Sequence, residues 1–154
     1  MKIGTVCSRR PITTSPSATL SEVASLMYEN HVGSVIVTLS PSERPVAVGI
    51  ITDRDVVRAQ LNHAADLGRL SARDVMTPDP LCINEEESLE QAMERLNERD
   101  VRRAPVIDAS GALTGIVSTD DIVVQLALQI SAMGRLLERQ AVHCVSPSTR
   151  EARS

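Results

Sequence analysis

The stretches GIITDRDVV, from Gly49, and GIVSTDDIV, from Gly115, hold the residues of this 154-residue chain best suited to chemistry. Each reads as a glycine, two branched apolar residues, a hydroxyl, two variable residues and a carboxylate. The hydroxyls are Thr52 and Ser118; the carboxylates are Asp55 and Asp121. Catalysis by carboxylates would rest on Asp53, Asp55 or the Asp120–Asp121 pair. The partners such a reaction needs are not in the pattern. No histidine is placed to activate a hydroxyl, and Cys7, Cys82 and Cys144 are isolated, with no CxxC. No nucleophile–base pair is predicted, and the chain is read as no enzyme. His31, His63 and His143 are too scattered to suggest a metal site. The run NEEES at 84–88 reads as the acidic first turn of a helix, complementing its dipole.

The composition narrows the partners. Aromatic residues are nearly absent, Tyr28 being the sole one, so the core is aliphatic and any ligand base would rest on aliphatic walls. The net charge of −4 argues against nucleic acid, and stacking platforms for single strands are missing. No apolar run approaches the roughly 18 residues of a membrane span. The N-terminus shows no secretion signal, so reduced thiols and a cytoplasmic location are expected.

The elements that position the two phrases are themselves duplicated. TVCSRRPITTSPSATLSEVASLM aligns with DVMTPDPLCINEEESLEQAMERL at an offset of 69, Pro11 falling on Pro80 (80 − 11). Leu20, Val23, Ala24 and Met27 fall on Leu89, Ala92, Met93 and Leu96, both sets at the spacing of an amphipathic helix. Thr19 with Glu22, and Ser88 with Gln91, fit capping boxes at the start of those helices. At the glycine phrases the offset drops to 66 (115 − 49), absorbed where TLSPSERPV is longer than DASGAL. Each unit thus reads as a short extended piece, a helix, a strand (Ser34–Leu39; Ala104–Ile107), a turn, a second strand ending near Ile51 or Val117, and a second helix. Those second helices are expected over Asp53 to about Gln60 and Thr119 to about Gln129, with a polar, frayed tail from about Ala141. About 60 residues bury too small a core to stand alone, so the units should pack sheet to sheet around a pseudo-twofold axis.

In this repeated β-α-β-β-α order, in DVMTPDP, in VRRAPVID and in both glycine phrases, the chain resembles a tandem pair of CBS domains from Val6 to about Ala127. The resemblance implies an α/β (α+β) fold of two repeats forming a Bateman module, over residues 1–65 and 66–135, with a helical extension and tail at 136–154. It implies a free-standing regulatory module without an obligatory cofactor. Its clefts would bind an adenosine-type ligand, namely AMP, ADP, ATP, NAD or S-adenosylmethionine, and it would signal to a protein partner not identifiable from sequence. Thr52 with Asp55, and Ser118 with Asp121, would face the ribose and phosphate. Physically, a strand followed at once by a helix points N–H groups and a positive dipole end at an anion. A first-turn carboxylate can accept both hydrogen bonds of a ribose diol.

The same [ST]-x-x-[DE] spacing is also a plain capping box. Two matches, each after a glycine-led strand of a repeat, favour the ligand site. The glycines fit either close approach to a ligand or tight strand packing. Arg102 and Arg103 stand where the family often places phosphate contacts, and their first-unit counterparts are Gly33 and Ser34. Arg54 is likewise unmatched, facing Asp120, so the two clefts are expected to differ. Arg103 could instead pair with Asp100 or Asp108 at the surface. A homodimer is expected, with Leu126, Ile130, Met133 and Leu137 as a helical seam. The competing reading is a ligand-free dimerisation scaffold.

Overall fold

Capping boxes open the first helix of each unit. Thr19 Oγ1 accepts from Glu22 N–H at 3.2 Å, and Glu22 Oε2 accepts from Thr19 N–H at 2.7 Å. Ser88 and Gln91 repeat the exchange at 3.3 and 2.9 Å. The computed structural model describes residues 1–39, 44–63 and 66–144. Its first unit runs β1 (Thr13–Thr14), α1 (Leu20–Glu29), β2 (Ser34–Leu39), β3 (Val46–Thr52) and α2 (Asp53–His63). Two short elements follow, α3 (Ala72–Val75) and β4 (Thr77–Pro78). The second unit is β5 (Ile83–Asn84), α4 (Leu89–Glu98), β6 (Arg103–Ile107), β7 (Leu113–Ser118) and α5 (Thr119–Cys144).

The hairpin between β6 and β7 shows why DASG turns. Asp108 Oδ1 accepts from Ser110 N–H at 2.8 Å, Ser110 Oγ at 2.6 Å and Ala112 N–H at 3.0 Å. Gly111 takes φ +83°, which a side chain would oppose. Much of the counterpart, TLSPSERPV, lies outside the described residues.

Two sheets result, ordered β1-β2-β3-β4 and β5-β6-β7. In each, the first pair is parallel and the next antiparallel. The fourth position of the second sheet is filled by the chain's own beginning. Ser8 N–H donates to Ile116 O at 2.9 Å, and Ile116 N–H donates to Ser8 O at 3.0 Å. In the first sheet Thr77 pairs with Ile50 in the same place. The offsets agree (77 − 8 = 69; 116 − 50 = 66), so each unit's leading segment completes the other unit's sheet.

The cores record the same exchange. Ile3 and Cys7 are buried with Ile83, Leu89, Leu96, Val106 and Val117 of the second unit. Ala72 is buried with Leu20, Val23, Val35, Val37 and Ile51 of the first. The sequence places these leading segments ahead of their own units; the fold sends each across the axis. Both faces of β2 are buried, Val35 and Val37 toward the helices, with Ile36 fully covered on the opposite face. Pro105 is its fully buried counterpart in β6. The strands alternate, so these second faces meet at the pseudo-twofold axis.

Two expectations are corrected. Met93, placed on the buried stripe of α4, is 43% exposed, while Leu89, Ala92 and Leu96 are buried. The second helix of the second unit does not end near Gln129: α5 continues to Cys144, about 39 Å of helix. No proline interrupts it, and the one glycine, Gly134, weakens a helix without ending it. The stretch expected to fray from Ala141 is still helical through Cys144, and the rest lies outside the described residues.

Candidate functional site

Each glycine phrase passes from strand into helix at its hydroxyl. Ser118 ends β7, and its N–H and Oγ both donate to Asp121 Oδ2, at 2.8 and 2.6 Å. Asp121 N–H donates back to Ser118 Oγ at 3.2 Å. Thr52 and Asp55 do the same at 2.8, 2.7 and 3.4 Å. Both phrases are therefore capping boxes, as the structural reading required. Those bonds occupy one carboxylate oxygen. Asp55 Oδ1 stands 3.8 Å from Arg58 Nη1. Asp121 Oδ1 has no hydrogen bond among the described residues.

Asp121 and Ser118 open onto a cleft of about 340 Å³ between the units, within the size range of small-molecule sites. Its aliphatic walls are Ile12 and Val32 from the first unit and Ile116 from the second. Ser8 of the exchanged segment and Arg103 complete its far side. Arg103 reaches across the axis: its Nη1 donates to Ser34 Oγ at 3.2 Å. A Cβ on Gly33 would stand 3.2 Å from the same nitrogen, so the small residue there leaves the guanidinium its room. Arg103 thus bonds neither Asp100 nor Asp108.

The glycines of the phrases are explained by packing. Gly115 lies against the Ser8 carbonyl and Cys7 Sγ, and Gly49 against the Met76 side chain, each from an exchanged segment. Burial pushes the Cys7 thiol up from its ordinary value, with the Arg9 charge opposing. Cys82 is raised chiefly by burial too, with the Asp79 charge adding to it.

The structure brings Ser118, Asp121 and Arg103 into one cleft and places Thr52 and Asp55 at the equivalent positions across the axis. Arg102 is not in that lining; it pairs with Asp120 at 3.4 Å and borders an apolar groove between α4 and α5. Arg54 is exposed in the first turn of α2, also outside the lining. Arg10 and His31 line the cleft and were missed by reading the sequence. Their signal was positional: Arg10 precedes the aligned proline, and His31 follows a helix end in the left-handed region, φ 53°.

Two β-α-β-β-α units that trade their leading segments about a pseudo-twofold axis, with clefts between them, form a Bateman module. The CBS domain family model matches residues 3–62 and 72–128, and the chain belongs to that family. It is 32% identical over 123 residues to the uncharacterised protein MK0525 of Methanopyrus kandleri, covering 80% of this chain and 61% of that protein. It is 32% identical over 133 residues to the CBS domain-containing protein YhcV of Bacillus subtilis, covering 85% and 91%. The crystal structure of CBSX2 in complex with AMP superimposes with a TM-score of 0.70 at 29% identity, covering 84% of this chain and 98% of that one. No helix among the described residues is long and apolar enough to cross a membrane.

Proposed function

We propose that this chain is a regulatory sensor of adenine nucleotides rather than a catalyst or a ligand-free scaffold. The observation that carries the reading is the open oxygen of Asp121 in a cleft walled by both units. The likeness to AMP-bound CBSX2 supports it. Ile12, Val32 and Ile116 flank the base, Asp121 accepts from the ribose diol, and Arg103 meets phosphate. Thr52 and Asp55 take the matching roles across the axis. A ligand touching both units holds them together, and that is the event a partner reads. No bound cofactor is needed for it.

The output passes through self-association or a second protein. Of the expected seam, Leu126 packs against the second unit's core and leaves it, whereas Ile130, Met133 and Leu137 of α5 are each more than 60% exposed, as is Val123 two turns earlier. That is more apolar surface than a lone small globule usually shows water. A homodimer covers it, and the partner protein reads the dimer from the cytoplasm.

Thermal denaturation with AMP, ATP, NAD and S-adenosylmethionine tests the proposal. A ligand at 100 times its Kd adds about 2.7 kcal/mol. Asp121→Ala should weaken binding by about 1–3 kcal/mol, the range of a lost charged hydrogen bond. No shift with any of the four ligands would support the scaffold instead, and turnover would support an enzyme.

A further inference from the structure

One face of α5 meets two different surroundings along its length. Over the first turns Ile122, Val123 and Leu126 wall a groove of about 590 Å³ against Met93 and Leu96 of α4 and Val101 just beyond it. The groove is apolar, yet Met93, Val101 and Val123 remain exposed within it. Further along, the helix leaves the globule, and every residue from Ala127 to Gln140 is exposed. At 3.6 residues per turn, Ile130, Met133 and Leu137 continue the face that Ile122 and Leu126 turn inward. Arg135, Glu138 and Arg139 fall outside that stripe, so it carries no charge. A core-facing stripe thus runs on into water with no core beneath it. A helix in water draws most of its stability from packing such a face.

A second copy of the chain fits both features at once. The pairs Ile130–Met133, Leu126–Leu137 and Val123–Gln140 are each centred on position 131.5. An antiparallel helix centred there sets Ile130 of each copy on the partner's Met133. It also lowers the partner's Leu137 into the groove, over Leu126. A parallel pair would stack stripe on stripe and leave both grooves empty. Six apolar side chains per copy are covered: Met93, Val101, Val123, Ile130, Met133 and Leu137. At roughly 60–120 Å² apiece, the two copies together bury on the order of 1,000 Å², the size a specific interface needs.

We infer that two copies associate through antiparallel pairing of α5, each laying Met133 and Leu137 into the other's α4–α5 groove. This rests on the self-association proposed above and adds which surfaces meet and in which direction. It is independent of nucleotide binding.

Light scattering and disulfide trapping on the full chain test it. A Cys82→Ser, Cys144→Ser background leaves the buried Cys7 as the one native thiol. Val123→Cys and Gln140→Cys are then made in separate chains. Mixed and oxidised, they should form a cross-linked dimer of one chain with the other, and neither chain should cross-link alone. In the antiparallel pair the two copies of position 123 stand about 26 Å apart along the helix, far beyond the roughly 7 Å a disulfide spans. Met93→Glu in the groove and Leu137→Glu on the stripe should each weaken the dimer roughly tenfold or more, as a charge buried without a partner does. Circular dichroism checks the fold of each variant. Cross-linking of either chain with itself shows a parallel pair and overturns this inference alone, as does a dimer that neither glutamate weakens. A wild type that stays monomeric at micromolar concentration overturns the self-association, and this inference with it.

Discussion

Gly115→Ala tests the exchanged segments most directly. A Cβ on Gly115 would stand 2.6 Å from the Ser8 carbonyl oxygen and 2.9 Å from Cys7 Sγ. The nearest atom belongs to backbone, so the segment itself must move. Forcing a methyl into such packing costs about 1–3 kcal/mol. Moving Ser8 also strains its two bonds to Ile116, at 2.9 and 3.0 Å, each worth about 0.5–1.5 kcal/mol net. The expected loss is therefore about 2–4 kcal/mol. At about 2–4 °C per kcal/mol for a chain of this size, the melting temperature should fall by roughly 4–16 °C. Gly49→Ala is the internal control, because its Cβ would overlap the Met76 side chain, above all Sδ. Rotation of the methionine moves Sδ and Cγ away but leaves its Cβ at 3.0 Å, so about 1–2 kcal/mol is expected there, less than for the backbone contact at Gly115. Urea denaturation of the two variants beside the wild type gives the comparison. Ser8 also borders the Asp121 cleft, so Gly115→Ala should loosen AMP binding while Gly49→Ala leaves it nearly intact. The reasoning is refuted if Gly115→Ala lies within 0.5 kcal/mol of wild type, or if Gly49→Ala costs more than Gly115→Ala.

Ile130→Glu with Met133→Glu and Leu137→Glu should leave the fold intact and give a monomer by light scattering, where the wild type gives a dimer; unchanged mass would remove α5 from the interface. Acid should destabilise the protein. Hydrogen bonds from Thr19 hold Glu22 below the ordinary carboxylate range, and those from Ser71 and Ser110 hold Asp74 and Asp108 there. Their folded values are depressed, so the stability they contribute is complete above the ordinary carboxylate range and is lost as pH falls through the folded values. The urea midpoint should be lower at pH 3 than at pH 6, and an equal midpoint would contradict this. For Cys7 the sign reverses: burial raises its thiol, so stability falls as pH climbs past about 9, and native Cys7 should label slowly with a thiol reagent.

Much of this protein is determined by its sequence alone, because the forces involved act within a few residues. Thr19 with Glu22 and Ser88 with Gln91 close their capping boxes whatever else is nearby. β2 begins and ends where its apolar run does, at Ser34 and Leu39, and the 69-residue offset foretold a second copy of each element. The hydroxyl and carboxylate of each glycine phrase were legible for the same reason. What lies across the axis was not legible. Ile3 and Cys7 bury themselves in the unit that follows their own, and Ala72 in the unit before it, a choice set by which sheet edge stands open. Arg102 and Arg103 are neighbours in the chain and look alike on paper. Arg102 precedes β6 and turns to Asp120 on α5, while Arg103 opens the strand and turns to Ser34 and the cleft. Arg10 and His31 join that cleft only because two distant segments meet there. Local hydrogen bonding and periodicity are written residue by residue; the charge of a cleft is a sum over segments that only tertiary packing brings together.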